Sequence, residues 1–534
     1  MKRLAIPALI ASLFAGSAYA QSNLIISSTT YQDVGAVASL AVGNLLPGGG
    51  NAIANGQFPS VFTNTTPDAA FGVTSAMSLL QYDTSSSSFA GTVNIDTSQI
   101  VTSFSSKSEM ALNVSADGQS VSFMGYSAPV GALDVSNSNT AGAFDPTNPV
   151  AQTYARVVGS VNLSSGALST IQTNAYSGNN GRAAYLSSDG NYYMVGNAGN
   201  SGTFTSQAQA VTINSMLSAN TGVQVVSATG ASSQTGGAYN SSVIGQYSGA
   251  AVGTTTTKTK SGVTTTTYSS TGGQYGFDIA SVNGNVADKT GKDNNFRGMT
   301  VYNGTMYVTK GSGSNGINSV YQVGATGALL NGGSLPSNAA ITILPGMPTT
   351  LASATTATNP FGLFFGDANN LFVADEGNGK YTAGKASDTA AGLGWYQLVN
   401  NTWTLKQTFQ SGLAGQVTAA SGLSWTVQQD GLRNITGRKN ADGSYDIYAN
   451  TSTVSNDAAH DLGADPNEVV HIKINASSTA VNDSFDVVAT AAVGQRFGGV
   501  ALSAVTVPVP EPETFAMLLA GLGLIGAAVR RRQK

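Results

Sequence analysis

Few residues in this sequence could serve as acids, bases or nucleophiles in a conventional catalytic site. The chain has two histidines, His460 and His471, and no cysteine. A Ser-His-Asp triad would need one of these histidines, and zinc sites usually take more His and Cys ligands than the chain offers. His471 lies in the apolar run EVVHIKI, which predicts an ordinary strand position. Paired carboxylates for glycoside chemistry remain open, because they need nearness in space rather than in sequence.

A stretch around His460 gathers four carboxylates, those of Asp457, Asp461, Asp465 and Glu468. Calcium takes several oxygen ligands from one flexible loop. The spacing matches no EF-hand, however, and acidic loops are often only solvated. The sequence leaves both interpretations open, with Ca²⁺ as the single ion under consideration. We therefore assign no metal ligand, no other cofactor and no catalytic residue.

Three arginines, Arg182, Arg297 and Arg433, occupy matching places at the starts of three strand-turn-strand units. Arg496 lies one residue off the same register. If these strands surround a common axis, the guanidinium groups converge near one mouth and favour an anionic ligand such as a uronate or phosphate group. The alternative is that each arginine pairs with a carboxylate or bonds to loop carbonyls between the units.

The elements that must position these residues are β-strands. Short runs of Val, Ile, Thr, Tyr and Phe alternate with turns rich in Gly, Asn and Asp, which is the pattern of an all-β chain. Asp-Gly and Asn-Gly turns favour hairpins because these residues adopt positive φ at little cost. The Thr-rich stretch 254–268 has Ser-Gly at its centre and predicts a projecting polar hairpin. Four further turns are predicted at Asp117-Gly118, Asp189-Gly190, Asn303-Gly304 and Asp367 to Asn370.

The hairpins recur at intervals of 57 to 72 residues, which indicates a repeat architecture. The last unit has no room for a further hairpin, and the N-terminal strand SNLIISSTTY could complete its sheet. Closing a ring in this way removes the exposed edges of a β-propeller. We therefore expect a seven-bladed β-propeller over residues 21–507, with its ring closed by N- and C-terminal strands. The predicted opening residues are Met110, Arg182, Tyr239, Arg297, Phe361, Arg433 and Phe497.

The N-terminus has the pattern of a secretory signal peptide. Lys2 and Arg3 precede a short apolar run, and Ala18 and Ala20 form the small-x-small cleavage pattern. We expect residues 1–20 to be removed on export. The absence of cysteine means that the exported protein uses no disulfides.

The C-terminal segment 508–534 combines the triplet Pro510-Glu511-Pro512, an apolar run from Phe515 to Val529 and a basic end. As a helix the apolar run would extend about 22 Å, which is short for a bilayer core of about 30 Å. By the positive-inside rule, the basic end would remain cytoplasmic. We expect a short hydrophobic helix that holds the protein in the inner membrane transiently.

In this order, the proline triplet, apolar run and arginine cluster resemble a PEP-CTERM sorting signal. The resemblance implies processing by an exosortase, an integral membrane protease of bacteria that make exopolysaccharide, followed by placement at the cell surface or release. In the body, LFVADEGNGK resembles one segment of NHL-type propeller repeats. That likeness supports the architecture alone.

Composition narrows the function further. Only 9% of residues are charged and the net charge is −4, which disfavours a nucleic-acid partner. We expect a non-enzymatic surface or matrix propeller associated with exopolysaccharide, and whether it catalyses any reaction stays open. The alternative is an extracellular propeller hydrolase or lyase that acts on a polyanionic polymer.

Overall fold

The body of the chain folds into a propeller-like array of β-sheets in the computed structural model. The structure describes residues 23–63, 65, 71–104, 109–199, 202–229, 241–245, 252–271, 295–311, 316–378, 381–382, 385–386, 388–417, 422–455, 465–475 and 483–503. The signal peptide, the sorting segment 508–534, Tyr239 and His460 lie outside these ranges.

Six sheets of four or five antiparallel strands make up the body within the described residues. Sheet A joins the two ends of the body, because Gln495–Ser503 pairs with Asn23–Thr30 through eight residue pairs. Its outer strands are Met77–Asp83 and Ser88–Asn94. Sheet B has the strands Asn113–Val114, Ser120–Tyr126, Arg156–Asn162 and Leu168–Thr173, and sheet C has Gly181–Leu186, Asn191–Gly196, Gly222–Ser227 and Ser242–Ile244.

The second half of the chain supplies the other three sheets. Sheet D has Phe296–Tyr302, Thr305–Lys310, Ser319–Val323 and Ile341–Ile343, and sheet E has Pro360–Asp367, Asn370–Asp375, Gly392–Val399 and Thr402–Phe409. Sheet F has Gly415–Gln416, Val427–Lys439, Tyr445–Ser455, Glu468–Ile474 and Asp486–Thr490. We call the strand nearest the centre the inner strand: Gln495–Ser503 in A, Asn113–Val114 in B, Gly181–Leu186 in C, Phe296–Tyr302 in D, Pro360–Asp367 in E and Val427–Lys439 in F.

Each inner strand contacts the inner strands of its two neighbouring sheets, in the order B, C, D, E, F, A and back to B. Six of the seven predicted opening residues lie on these strands or within three residues of them. The predicted hairpin turns are also present, and Asn303 and Gly304 both have positive φ, at 46° and 66°. The hairpin predictions are therefore confirmed.

The predicted count of seven blades is not confirmed, since the described residues contain six such sheets. The remaining predicted opening residue, Tyr239, lies outside those residues. The strand that follows it, Ser242–Ile244, is the outer strand of sheet C rather than the start of a new sheet. The inner strands of C and D are in direct contact, so these two sheets are neighbours.

The hydrophobic core is divided among the boundaries between sheets. Six clusters of buried side chains each combine residues of two neighbouring sheets, including the boundary between F and A. Burial of apolar area on both sheets stabilises each boundary. The clusters include Ile25 and Phe123 for A and B, Met124 and Ala184 for B and C, Val195 and Phe296 for C and D, Val320 and Leu371 for D and E, Phe372 and Leu432 for E and F, and Val469 and Val500 for F and A.

Glycines on the inner strands allow the backbones of neighbouring sheets to approach closely. A Cβ atom on Gly298 would lie 2.0 Å from the Phe361 carbonyl oxygen, and one on Gly362 would lie 2.5 Å from that of Arg433. Neither glycine has positive φ, so space rather than backbone conformation requires glycine here. These contacts set the spacing of sheets D, E and F around the centre.

Other elements lie outside the six sheets. The Thr-rich stretch forms the predicted hairpin, Val252–Lys260 with Val263–Thr271, and its described side chains are mostly exposed. It packs against a helix, Gln207–Ser218, that the sequence analysis did not predict. Short helices occur at Gly35–Ala38, Ser60–Phe62, Val135–Asn137 and Leu330–Gly332, and two-residue strands at Thr74–Ser75, Thr102–Ser103, Tyr381–Thr382 and Lys385–Ala386. None of the described helices is long and apolar enough to cross a membrane.

We expect Gly298→Ala to lower the free energy of unfolding by about 1–3 kcal/mol, since the new methyl group meets a backbone oxygen that cannot rotate away. Denaturant unfolding measures this change. Gly415→Ala is the matched control, because a Cβ there meets nothing within 4 Å and Gly415 lacks positive φ. Equal stability of the two variants would show that the inner strands are not packed as described.

Candidate functional site

A cavity lies at the centre of the six sheets. Its volume is about 220 Å³. Its lining residues come from all six sheets or from the turns that lead into those sheets. Because every sheet contributes to its wall, the centre is where side chains distant in sequence can converge. The lining includes Leu502 from A, Asn113 from B, Tyr185 from C, Thr300 from D, Phe364 from E and Asn434 from F.

Arg182 is the second residue of the inner strand of sheet C and is 4% exposed. Its guanidinium donates to the Phe296 carbonyl oxygen at 2.7 Å and to Asn295 Oδ1, so it bridges to the start of sheet D. Its buried Nε has no hydrogen-bond partner among the described residues. Burial lowers the pKa of Arg182 well below its usual value, and the positive charge of Arg297 lowers it further.

Arg297 holds the same position in sheet D, and its guanidinium lies 5.6 Å from the ring centroid of Phe361 in sheet E. Burial lowers the pKa of Arg297. The Glu376 carboxylate raises that pKa, and the Arg433 guanidinium lowers it. Arg297 therefore interacts electrostatically with both Arg433 and Arg182.

Arg433 forms an ion pair with Glu376, in which Nε lies 2.9 Å from Oε2. The Arg433 side chain is 1% exposed and that of Glu376 is 22% exposed. Arg433 Nη1 is buried with no hydrogen-bond partner in the described part of the chain. Glu376 also raises the pKa of Arg182 and Arg297. One carboxylate therefore lies within the electrostatic reach of all three predicted arginines.

Glu376 was missed by the sequence analysis. It directly follows the buried strand Asn370–Asp375, inside the segment that resembles an NHL repeat. The consecutive acidic residues Asp375 and Glu376 at the end of an apolar run could have indicated this site from the sequence. Arg433 thus pairs with a carboxylate and Arg182 bonds to a carbonyl oxygen of the next sheet, as the alternative expected. Binding of an anion by these arginines stays a prediction.

A further arginine, Arg156, is completely buried but has a different role. Its guanidinium donates to the carbonyl oxygens of Tyr154, Ser136, Ser138 and Asn179, at 2.7 to 3.1 Å. Burial lowers its pKa to about 10. Backbone oxygens surround this group, so it ties loops of sheets B and C together.

Of the two histidines, His471 lies within the described residues and His460 does not. His471 lies in the strand Glu468–Ile474, and its Nε2 is 3.1 Å from Asp446 Oδ1 on the neighbouring strand. Hydrogen bonds from His471 and Arg438 hold the pKa of Asp446 below its usual value, although burial opposes them. His471 is therefore a hydrogen-bonded strand residue.

The acidic stretch around His460 is only partly described, since Asp457, His460 and Asp461 lie outside the described ranges. Asp465 accepts a hydrogen bond from Trp425 Nε1 at 2.7 Å, and Glu468 accepts one from Gln429 Nε2 at 2.6 Å. The described residues contain no group of three or more side chains suited to a metal ion. A Ca²⁺ site there stays a sequence-based prediction.

Comparison with known proteins bears on the C-terminal segment. Residues 508–532 match the PEP-CTERM protein-sorting motif. No curated protein matches the chain. One similar solved structure is an acylaminoacyl peptidase in complex with Z-Gly-Gly-Phe-chloromethyl ketone, which is 7% identical, with a TM-score of 0.25. The match covers 76% of this chain and 55% of that one, and a likeness this weak carries no argument about fold or function.

The sorting motif indicates a protein that is exported and targeted to an exosortase, with transient anchoring in the membrane before its placement at the surface or outside the cell. The protein therefore joins a PEP-CTERM sorting motif to a propeller-like β-body.

Proposed function

We propose that this protein is a non-enzymatic surface or matrix protein that binds an anionic group of an exopolysaccharide at the arginine end of its propeller axis. The observation that carries the proposal is the convergence of Arg182, Arg297 and Arg433 on Glu376. Guanidinium groups bind carboxylate and phosphate through paired, charge-assisted hydrogen bonds. A uronate or phosphate group is therefore the chemistry that this cluster would accept.

The burial of the arginines supports an anionic ligand. The carboxylates that act on Arg182 are those of Glu376 and Glu109, and Glu109 already accepts hydrogen bonds from Thr102 and Ser103 at 3.0 and 3.1 Å. Arg182 and Arg433 are buried, and Arg297 is half-buried. A guanidinium group held away from water favours a ligand of opposite charge.

Glu376 acts in this proposal as an internal counter-ion. It is the more exposed member of its ion pair, so an incoming carboxylate could replace it beside Arg433. Ligand binding and the Arg433–Glu376 pair then compete for the same guanidinium. The competition gives two substitutions with opposite expected effects.

The propeller body would present this cluster outside the cell. We propose that the six sheets form a closed ring, supported by the shared sheet A and by the apolar boundary between F and A. Residues 1–20 would be removed on export, residues 21–507 would form the delivered body, and the exosortase would remove the tail at or near Pro510-Glu511-Pro512. The alternative function, an extracellular hydrolase or lyase, would act on the same class of polyanionic polymer and differ by its shortened product.

We expect Glu376→Gln to strengthen binding of polygalacturonate and Arg433→Gln to weaken it by about tenfold or more, since a hydrogen bond to a charged group contributes about 1.5–3 kcal/mol. Isothermal titration calorimetry of the mature body measures both effects, with neutral dextran as the reference polymer. Binding should also weaken as the salt concentration rises.

Unfolding curves of both variants provide the control, because loss of Arg433 leaves a carboxylate without its partner and lowers stability. If Arg433→Gln does not fold, the Glu376→Gln variant alone tests the proposal, because glutamine keeps the shape of the glutamate side chain. Unchanged or weaker binding by Glu376→Gln, or equal binding of dextran, would contradict the proposal. Shortening of the polymer during incubation would favour the enzyme instead.

We expect the exported protein to lose its C-terminus from about Pro510 onward in a host that carries the export and sorting machinery. Fractionation followed by intact-mass measurement tests this, and Glu511→Gln within the proline triplet is the comparison variant. An intact tail in the inner-membrane fraction would mean that the segment is a plain anchor.

A further inference from the structure

A second cavity lies between sheets D and E, away from the axis. Its volume is about 300 Å³, and its lining includes Ser319 and Val320 of sheet D and Val373, Asp375 and Tyr396 of sheet E. Thr389, at its edge, is exposed, so the cavity communicates with solvent. A cavity of this kind, apolar with a few polar groups, is typical of a small-molecule site.

Asp375 is the one carboxylate among the lining residues and is 5% exposed. Its two oxygens accept backbone hydrogen bonds, from Asn359 N to Oδ2 at 2.7 Å and from Gly377 N to Oδ1 at 2.9 Å. These bonds fix the carboxylate in place while leaving lone pairs on both oxygens. The group is therefore positioned to accept further hydrogen bonds from a molecule in the cavity.

Ser319 provides an independent indication of a ligand. It is fully buried, and its Oγ has no hydrogen-bond partner among the described residues. A buried hydroxyl without a partner lowers stability by roughly 1–3 kcal/mol, and native structures rarely leave one so. A polar group of a ligand in the cavity would satisfy it.

The charges around the cavity are negative. None of the lining residues is Lys, Arg or His, and Asp388 and Glu376 both raise the pKa of Asp375 by their charge. Lys310, which pairs with Ser319 in sheet D, is fully buried with Nζ 3.5 Å from Asn318 Oδ1, and it does not line the cavity. The local field therefore favours a cation over an anion.

We propose that this cavity binds a small organic cation that has a primary ammonium head and a compact apolar body. The ammonium group donates hydrogen bonds to the Asp375 carboxylate and to Ser319 Oγ. The apolar body contacts Met347, Pro360 and Leu405, which form part of the largely apolar wall. Buried carboxylates are stabilised when a positive charge pairs with them.

Protonation of Asp375 makes the binding depend on pH. Burial, followed by the charges of Asp388 and Glu376, raises the pKa of Asp375 to about 8. Burial and the charge of Asp375 raise the pKa of Tyr396 to about 12, so this tyrosine stays neutral. Below pH 8 the carboxyl must lose its proton to pair with an ammonium group. Affinity should therefore rise between pH 6 and pH 9.

The experiment is calorimetric titration of the mature body with cyclohexylammonium and with cyclohexanol, which has a similar shape and no charge. We expect cyclohexylammonium to bind at least about tenfold more tightly, and more tightly at pH 9 than at pH 6. Asp375→Asn should reduce the affinity at least tenfold, whereas Asp442→Asn, an exposed carboxylate on sheet F, should leave it unchanged.

Leu405→Trp keeps the experiment decisive if Asp375→Asn fails to fold. Leu405 is 50% exposed and lines the cavity, so a larger side chain should fill the space without disturbing the core and should abolish binding. The proposal is overturned by equal affinity for cyclohexanol, by undiminished binding in Asp375→Asn or Leu405→Trp, or by no binding of cyclohexylammonium at millimolar concentration.

Discussion

The close approach of inner-strand backbones around the centre is the constraint on which the rest of this structure depends. At Gly298 and Gly362 the neighbouring carbonyl oxygens lie where a side chain would begin. Buried apolar clusters fill the boundaries between the sheets that these strands bring together. The same convergence brings polar groups at the strand ends together. Arg182 reaches the backbone of sheet D because that sheet lies within one side-chain length.

The strand Asn370–Asp375 links the two candidate sites. Asp375 and Glu376 are consecutive, and consecutive residues of an extended chain point to opposite sides. Asp375 lines the cavity between sheets D and E, while Glu376 pairs with Arg433 in the direction of sheet F. The two carboxylates also interact electrostatically, since the charge of Glu376 raises the pKa of Asp375. Loss of the Glu376 charge from its present position would therefore lower the pKa of Asp375 in the neighbouring cavity.

Local features of the fold were predictable from the sequence, and features made by several sheets were not. Asp-Gly and Asn-Gly turns located the hairpins because their backbone preference is intrinsic. The opening at Tyr239 stays a prediction, because Tyr239 lies outside the described residues and the next described strand, Ser242–Ile244, belongs to sheet C. The helix Gln207–Ser218 was missed because its apolar residues are spread round its surface, although Ser206 caps it through a hydrogen bond from Gln209 N. The Arg433–Glu376 ion pair and the Asp375 cavity were not predicted, because each depends on how two sheets meet.

The position of the last strand has a consequence for orientation. Ser503 ends the inner strand of sheet A, so the chain leaves the body near the axis rather than at the rim. Four residues separate Ser503 from the sorting motif at 508, and fully extended they span about 14 Å. Arg496 and Ser503 lie near opposite ends of that strand. In a precursor held by its tail, the arginine end of the inner strands is therefore the end farther from the attachment point at Ser503.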